Sequence, residues 1–315
     1  MGANGEGMKR RKAHACVARE RKTKFVDIFR TTPTNTVCPN FYVLAHADGC
    51  AFMPECSYCF LKSSFWHLEA PHVFTNVDEM LADIRRWIAR DGLESTVLNM
   101  GNLSDSLAFE HVRPVMGPLV ELFRQEAEAK GRPHALLLVT KGGVEACRPL
   151  LDRRPCANVI VSFSVNAPEA ARDHERGAAP VEDRLEAARQ LKARGWRVRM
   201  RIDPMLLGYD YAWIVEQVRR LAPERVTIGS LRAEPNLPKY VENGLFDALE
   251  PPAPHPSRPG RFGLARYPRD ARLTLYRPAV EALRGICPIG LCEETPDIWD
   301  ALGLDKEARS CNCGS

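Results

Sequence analysis

Three cysteines fall within ten residues, Cys50, Cys56 and Cys59, in the run GCAFMPECSYCFLK. Thiolates this close together can grip an iron–sulfur cluster, although a four-iron cluster normally takes four cysteines. A loop that offers three leaves one iron without a protein ligand, and that iron can bind a small molecule. The cluster is then a reactive centre and not merely an electron store. Zinc is the rival reading, because Cys56-x2-Cys59 suits it, but zinc wants a fourth ligand that the loop does not carry. Gly49 permits a sharp turn into the loop, and the apolar run 41–47 before it reads as a strand.

The remaining cysteines have to be read against the compartment. No apolar run approaches the roughly 20 residues needed to span a bilayer. The N-terminus has a basic stretch without the apolar h-region of a secretory signal, so the expected location is cytoplasmic, with no membrane partner. Eleven cysteines in a reducing compartment point to metal binding or chemistry before a disulfide framework. The net charge of +4 is mild but concentrated: Lys9, Arg10, Arg11, Lys12, Arg19, Arg21, Lys22 and Lys24 crowd the start. Residues 1–35 therefore read as a basic arm without fixed structure, able to lie along phosphates or simply to be solvated.

From residue 36 to 232, strand-like runs alternate with amphipathic stretches. The strands are expected at 41–47, 95–101, 134–140, 158–165, 196–205 and 224–231, with helices at 77–90, 115–131, 143–151, 180–195 and 211–222 between them. Such alternation means parallel sheet and right-handed crossovers. Eight strand–helix units would close a barrel; six imply an α/β fold of the open, partial (β/α)6 TIM-like kind, with its site at the C-terminal strand ends. Residues 233–315 break the rhythm: a Pro- and Gly-rich lid loop at 235–263, a helix near 270–285, and an irregular Cys-rich C-terminal extension.

Polar residues cluster where that architecture puts a site. Asp105, in GNLSDS after the second strand, can accept from an ammonium group or cap a turn. Lys141 ends the third strand and can pair with a carboxylate. Ser162 and Ser164 share one face of the fourth strand, followed by Asn166 and then Glu175. Asp203 ends the fifth strand, and Gly229 in the sixth could let an adenine-like ring approach the backbone. In the tail, Cys287, Cys292, Cys311 and Cys313 could complete a second iron–sulfur cluster, bind zinc, or act as redox thiols. His46 reads as a buried histidine or as a neighbour of the cysteine loop. Cys16, Cys38, Cys147 and Cys156 carry no signal, the last two reading as core.

Together these motifs resemble the spore photoproduct lyase-like branch of the radical S-adenosylmethionine (SAM) superfamily. The resemblance covers residues 40–232 and rests on CSYCFL, NLSD, VTKGGVEACRPLL, SFSVNAPEAARDHERGAAPVEDRLEAARQL and VRMRIDPM. It implies a 4Fe–4S cluster on Cys50, Cys56 and Cys59, contacts from Lys141 and Ser162 to the methionine part of SAM, and a place for Glu175 near that pocket. It further implies reductive cleavage of SAM to a 5′-deoxyadenosyl radical and an electron donor such as flavodoxin or ferredoxin. Two features depart from the pattern. The first cysteine gap is five residues where the superfamily has three. The family's hydrogen-donating cysteine, as in C-T-S-D, is replaced by Asn102, and an asparagine cannot return a hydrogen atom. DNA photolesion cleavage is thus one reading, an unidentified substrate another, and a non-catalytic cluster or metal sensor a third.

Overall fold

The computed structural model describes residues 16–30, 35–53, 55–241, 244–252, 263–308 and 310–314. Its centre is an eight-stranded sheet whose strands lie side by side in chain order: β1 (Val26–Phe29), β2 (Phe41–Leu44), β3 (Val97–Asn99), β4 (Ala135–Thr140), β5 (Val159–Val165), β6 (Arg197–Met205), β7 (Val226–Ser230) and β8 (Ile289–Leu291). Strands β2 to β8 are parallel, and β1 runs antiparallel to β2 at the edge. Among the described residues β1 and β8 do not pair with each other, so the barrel is partial. The six expected strand–helix units are all present. The structure adds β1 and β8, one at each edge.

The chain folds this way because its strands are apolar on both faces. FYVL in β2 and VIVSFSV in β5 are buried along their whole length, as strands covered on both sides must be. Helices α1 (Val77–Ile88), α2 (Met116–Phe123), α3 (Val144–Leu151), α4 (Val181–Ala193), α5 (Ala212–Leu221) and α6 (Arg269–Leu283) cover the outer face. In α1, Met80, Ile84, Trp87 and Ile88 recur at helical spacing and are buried, while Asp78 and Glu79 sit in the first turn, where the helix dipole favours acids.

Alternation within the strands then divides two cores. Val159, Val161, Phe163 and Val165 of β5 join the main core with the helices. Ile160 packs inside with Val97, Ala135 and Leu137. The inner face turns polar further along: Ser162 lies opposite Arg199, and Ser164 opposite Arg201.

Two expectations need correction. Residues 17–19 and 26–29 are not part of an unstructured arm. Val17–Arg19 pairs with His72–Phe74, and β1 pairs with β2, because β2 would otherwise expose an edge of unpaired backbone groups. The Cys-rich extension contributes the last parallel strand, with Val226, Thr227 and Ile228 opposite Ile289, Gly290 and Leu291. Residues 1–15, and residues 242–243 and 253–262 of the expected lid, lie outside the described residues.

Candidate active site

The loop that carries Cys50, Cys56 and Cys59 leaves the C-terminal end of β2, where parallel α/β folds place their sites. Gly49 enters it at φ +87°, a left-handed conformation that glycine adopts without strain. The Gly49 N–H donates to Leu103 O at 2.9 Å, which ties the loop to the NLSD turn after β3. A Cβ on Gly142 would stand 3.6 Å from Phe52 Cζ; the long first gap therefore carries Phe52 across to the turn after β4.

The second half of the loop is bolted to the turn after the helix Pro168–His174. Ser57 N donates to His174 O at 2.9 Å, and Ser57 Oγ lies 2.8 Å from His174 Nδ1. Tyr58 donates its hydroxyl hydrogen to Glu175. Glu175 also accepts from Asn166 Nδ2 at 3.2 Å and pairs with Arg184, and both members of that ion pair are buried. Burial works against the charge on Glu175, but Lys141, Arg184 and the Tyr58 hydrogen bond outweigh it and hold its pKa down at about 2. Lys141 Nζ sits 5.8 Å from the Tyr58 ring centroid. Burial disfavours its ammonium too, yet the charges of Glu175 and Cys56 keep its pKa above the ordinary lysine value.

Burial raises the thiol pKa at all three loop cysteines, to about 12 at Cys59. Lys141 opposes the rise at Cys56, whereas Asp105 adds to it at Cys50. Among the described residues no three Cys, His, Asp or Glu side chains are placed to hold a single metal ion.

The other expected site residues divide into two groups. Lys141 directly follows β4, and Ser162 and Ser164 lie on one face of the neighbouring β5, with Ser162 opposite Val139; Ser162 Oγ is wholly buried without a hydrogen-bond partner. That is an acceptor and donor in want of a ligand. Asp105, Asn166 and Glu175 are engaged by the protein instead. Asp105 takes Leu107 N and Thr140 Oγ1, both at 2.9 Å, and Lys141 N at 2.7 Å. In place of gripping an ammonium group, it fastens the β3 turn to the end of β4. Asn166 spans Glu175, Pro204 O and the Tyr211 hydroxyl.

Gly229 likewise serves the protein: a Cβ there would meet Asp203 Oδ1 at 2.5 Å. The space expected for an aromatic ring is taken by Asp203, which pairs with Arg201 and Arg232. His46 is buried with Nδ1 3.1 Å from Arg113 Nη2. Burial first, and the Arg113 charge second, keep it neutral. Arg184 carried no signal in the sequence, because a buried arginine in a helix reads like any exposed one.

The tail cysteines do not form the expected set. Cys287 packs against the main core, where burial raises its pKa to about 11 and Lys192 is the charge it senses. Cys292, Cys311 and Cys313 lie on the other side, at the inner face of the sheet. Cys38, which carried no signal, stands with them: Glu293 N donates to its Sγ at 3.2 Å.

Comparison with known proteins agrees with this architecture. A family model described as spore photoproduct lyase matches residues 11–227. The chain is 25% identical over 189 residues to the spore photoproduct lyase of Bacillus subtilis, covering 59% of this chain and 53% of that protein. It is 26% identical over 186 residues to that of a Geobacillus species, covering 59% and 52%. The chain thus spans about half the length of the curated relatives it matches. A solved spore photoproduct lyase complexed with dinucleoside spore photoproduct superimposes with a TM-score of 0.70 at 19% identity, over 89% of this chain and 82% of that one. The same score and coverage hold for a substituted form with bound AdoMet and the same dinucleoside. At that identity the likeness bears on the fold, which is the partial barrel described above. With the family model matching well over half of its length, the chain belongs to the spore photoproduct lyase family.

Proposed function

We propose that this protein is a radical SAM enzyme whose cluster is held by Cys50, Cys56 and Cys59. The observation that carries the reading is the bolting of a three-cysteine loop, through Tyr58 and Glu175, to a buried Lys141–Glu175–Arg184 charge network at the strand ends. Three thiols and no fourth fit a cluster with one open iron. Lys141 and Ser162 fit the carboxylate and the ammonium group of an amino acid bound there, since one supplies positive charge and the other an unpartnered hydroxyl. Asp105, Asn166 and Glu175 brace that pocket from behind. When bound, cluster and SAM supply a carbon radical that abstracts hydrogen, fed by an external electron donor of the flavodoxin or ferredoxin class.

The first substrate to test is a spore photoproduct in DNA, since a dinucleoside spore photoproduct is the ligand named for the solved neighbour. Trp66 and Tyr240 support it. They are exposed beside the cysteine loop and stack at 6.2 Å with their planes 21° apart, a surface on which a nucleobase can stack. Asn102 favours a second reading, a different substrate, because it occupies the NLSD turn joined to the loop at Leu103 and cannot return a hydrogen atom.

The test is anoxic reconstitution with iron and sulfide, then dithionite and SAM. Release of 5′-deoxyadenosine, lost in Cys56→Ala, is the expected result; wild-type protein that releases none overturns the reading. Turnover of the dinucleoside photoproduct, or its absence while 5′-deoxyadenosine is still released, separates the two substrates.

A further inference from the structure

The end of the chain runs across the inner face of the sheet, where it touches three strands in succession. At β8, a Cβ on Gly290 would meet Ser310 O at 2.3 Å and Cys311 N at 2.4 Å. At β6, Arg199 Nη1 donates to Asn312 O at 2.6 Å and Gly314 O at 2.9 Å. At β3, Asn99 Nδ2 lies 3.8 Å from Cys313 Sγ. The turn after β8 completes the gathering. Cys292 N is fixed to Ile228 O at 2.8 Å, and Val37 N donates to Glu294 O at 3.0 Å beside the Glu293–Cys38 contact. Segments at opposite ends of the chain thus bring Cys38, Cys292, Cys311 and Cys313 to one region.

We propose that Cys38, Cys292, Cys311 and Cys313 ligate a second iron–sulfur cluster on the inner face of the barrel, apart from the Cys50–Cys59 loop. Four cysteines are the usual complement of such a cluster. Their surroundings are polar and supply donors to sulfur. Cys292 Sγ receives Arg232 Nη2 at 3.0 Å and Arg201 Nη2 at 3.5 Å. Both arginines also pair with Asp203, and Arg232 with Glu293, so what they offer is N–H hydrogen bonds to sulfur, which stabilise and tune a thiolate-bound cluster.

Cys147 and Cys156 show what an ordinary buried cysteine looks like in this protein: both sit in the apolar main core. The four inner cysteines lie among arginines and amides instead. Asn312, between two of them in sequence, is 1% exposed, and neither its Nδ2 nor its Oδ1 has a partner. A buried amide left unpaired is costly, and its N–H groups are donors suited to a cluster sulfide.

The experiment starts from full-length Cys50→Ala/Cys56→Ala/Cys59→Ala protein, purified without oxygen and reconstituted with ferrous iron and sulfide. About two or about four irons per chain should remain, according to cluster type, with matching sulfide and visible charge-transfer absorbance. Adding Cys38→Ser should abolish them, and adding Cys287→Ser should not. In case the Cys38→Ser protein does not fold, alkylation of the triple variant with and without iron gives an independent reading: iron should protect Cys38, Cys292, Cys311 and Cys313 and leave Cys287 reactive. A folded triple variant that retains no iron, one that takes up zinc in place of iron, or protection of Cys287 instead of Cys38 overturns the proposal. Because the triple variant lacks the first loop's cysteines, its iron content is independent of whether wild-type protein cleaves SAM.

Discussion

Tyr58 and Glu175, 117 residues apart in the chain, meet in a buried hydrogen bond that joins the cysteine loop to the turn after Pro168–His174. The loop's position therefore depends on a carboxylate that never faces solvent. Tyr58→Phe removes the donor but leaves Glu175 its Asn166 and Arg184 partners. Urea unfolding should show a loss of about 1–3 kcal/mol, and the loop should retain less iron after reconstitution. Unchanged stability together with full iron loading would disconnect the two residues.

Glu175 also sets an acid limit. Its folded pKa of about 2 lies below the ordinary glutamate value of 4.5. As pH falls, the unfolded chain binds the proton first. The stabilisation is thus complete above about pH 4.5 and is lost on the way down to about pH 2, amounting to about 3 kcal/mol. Glu224, also held at about 2 despite burial by Arg197 and Arg199, acts in the same window. Glu175→Gln should unfold about 3–5 kcal/mol more easily at pH 7, and the gap from wild type should narrow with acid. A gap that does not vary with pH contradicts the assignment.

Ser162→Ala should separate folding from binding. The hydroxyl is buried without a protein partner, so its removal should not destabilise the ligand-free protein and should raise its stability by about 1 kcal/mol as the unpaired group is lost. Anoxic calorimetry with SAM should find affinity reduced about fivefold, the worth of about one hydrogen bond. Wild-type affinity in the variant would take Ser162 out of the pocket.

Gly290→Ala would drive a methyl group into the Ser310 carbonyl. The strand is anchored by its pairing with β7, so the tail must give way, at a cost of about 1–3 kcal/mol. Alkylation of metal-free protein should then modify Cys311 and Cys313 faster, with Cys147 unaffected as the internal standard.

Trp66 is 64% exposed, and its replacement by alanine should leave the fold intact. If a nucleobase stacks on the Trp66–Tyr240 pair, binding of a photoproduct oligonucleotide should weaken by about 1–3 kcal/mol. Equal binding by wild type and Trp66→Ala removes the nucleobase role.

Much of this molecule is written locally. A strand such as VIVSFSV or a helix such as VDEMLADIRRWI is recognisable because its period is a property of adjacent residues, and the expected strand positions agree with the observed ones to within a few residues. The Cys50–Cys56–Cys59 loop is legible for the same reason, since its ligands are neighbours in the chain. So is the polar series at strand ends, although its tasks are not: Asp105, Asn166 and Gly229 turn out to serve protein contacts.

What escaped the linear pattern involves partners far apart. Strands β1 and β8 lie outside the strand–helix alternation that marks the others, and each pairs with an edge that would otherwise present unpaired backbone groups. Arg184 is recognisable only beside Glu175. Cys38 stands beside Glu293 because the turn after β8 meets the segment before β2, a contact across 255 residues. Spacing along a chain reports which side chains can share a loop or a face. It is blind to which loops the closing of a sheet brings together, because that follows from the packing of every strand between them.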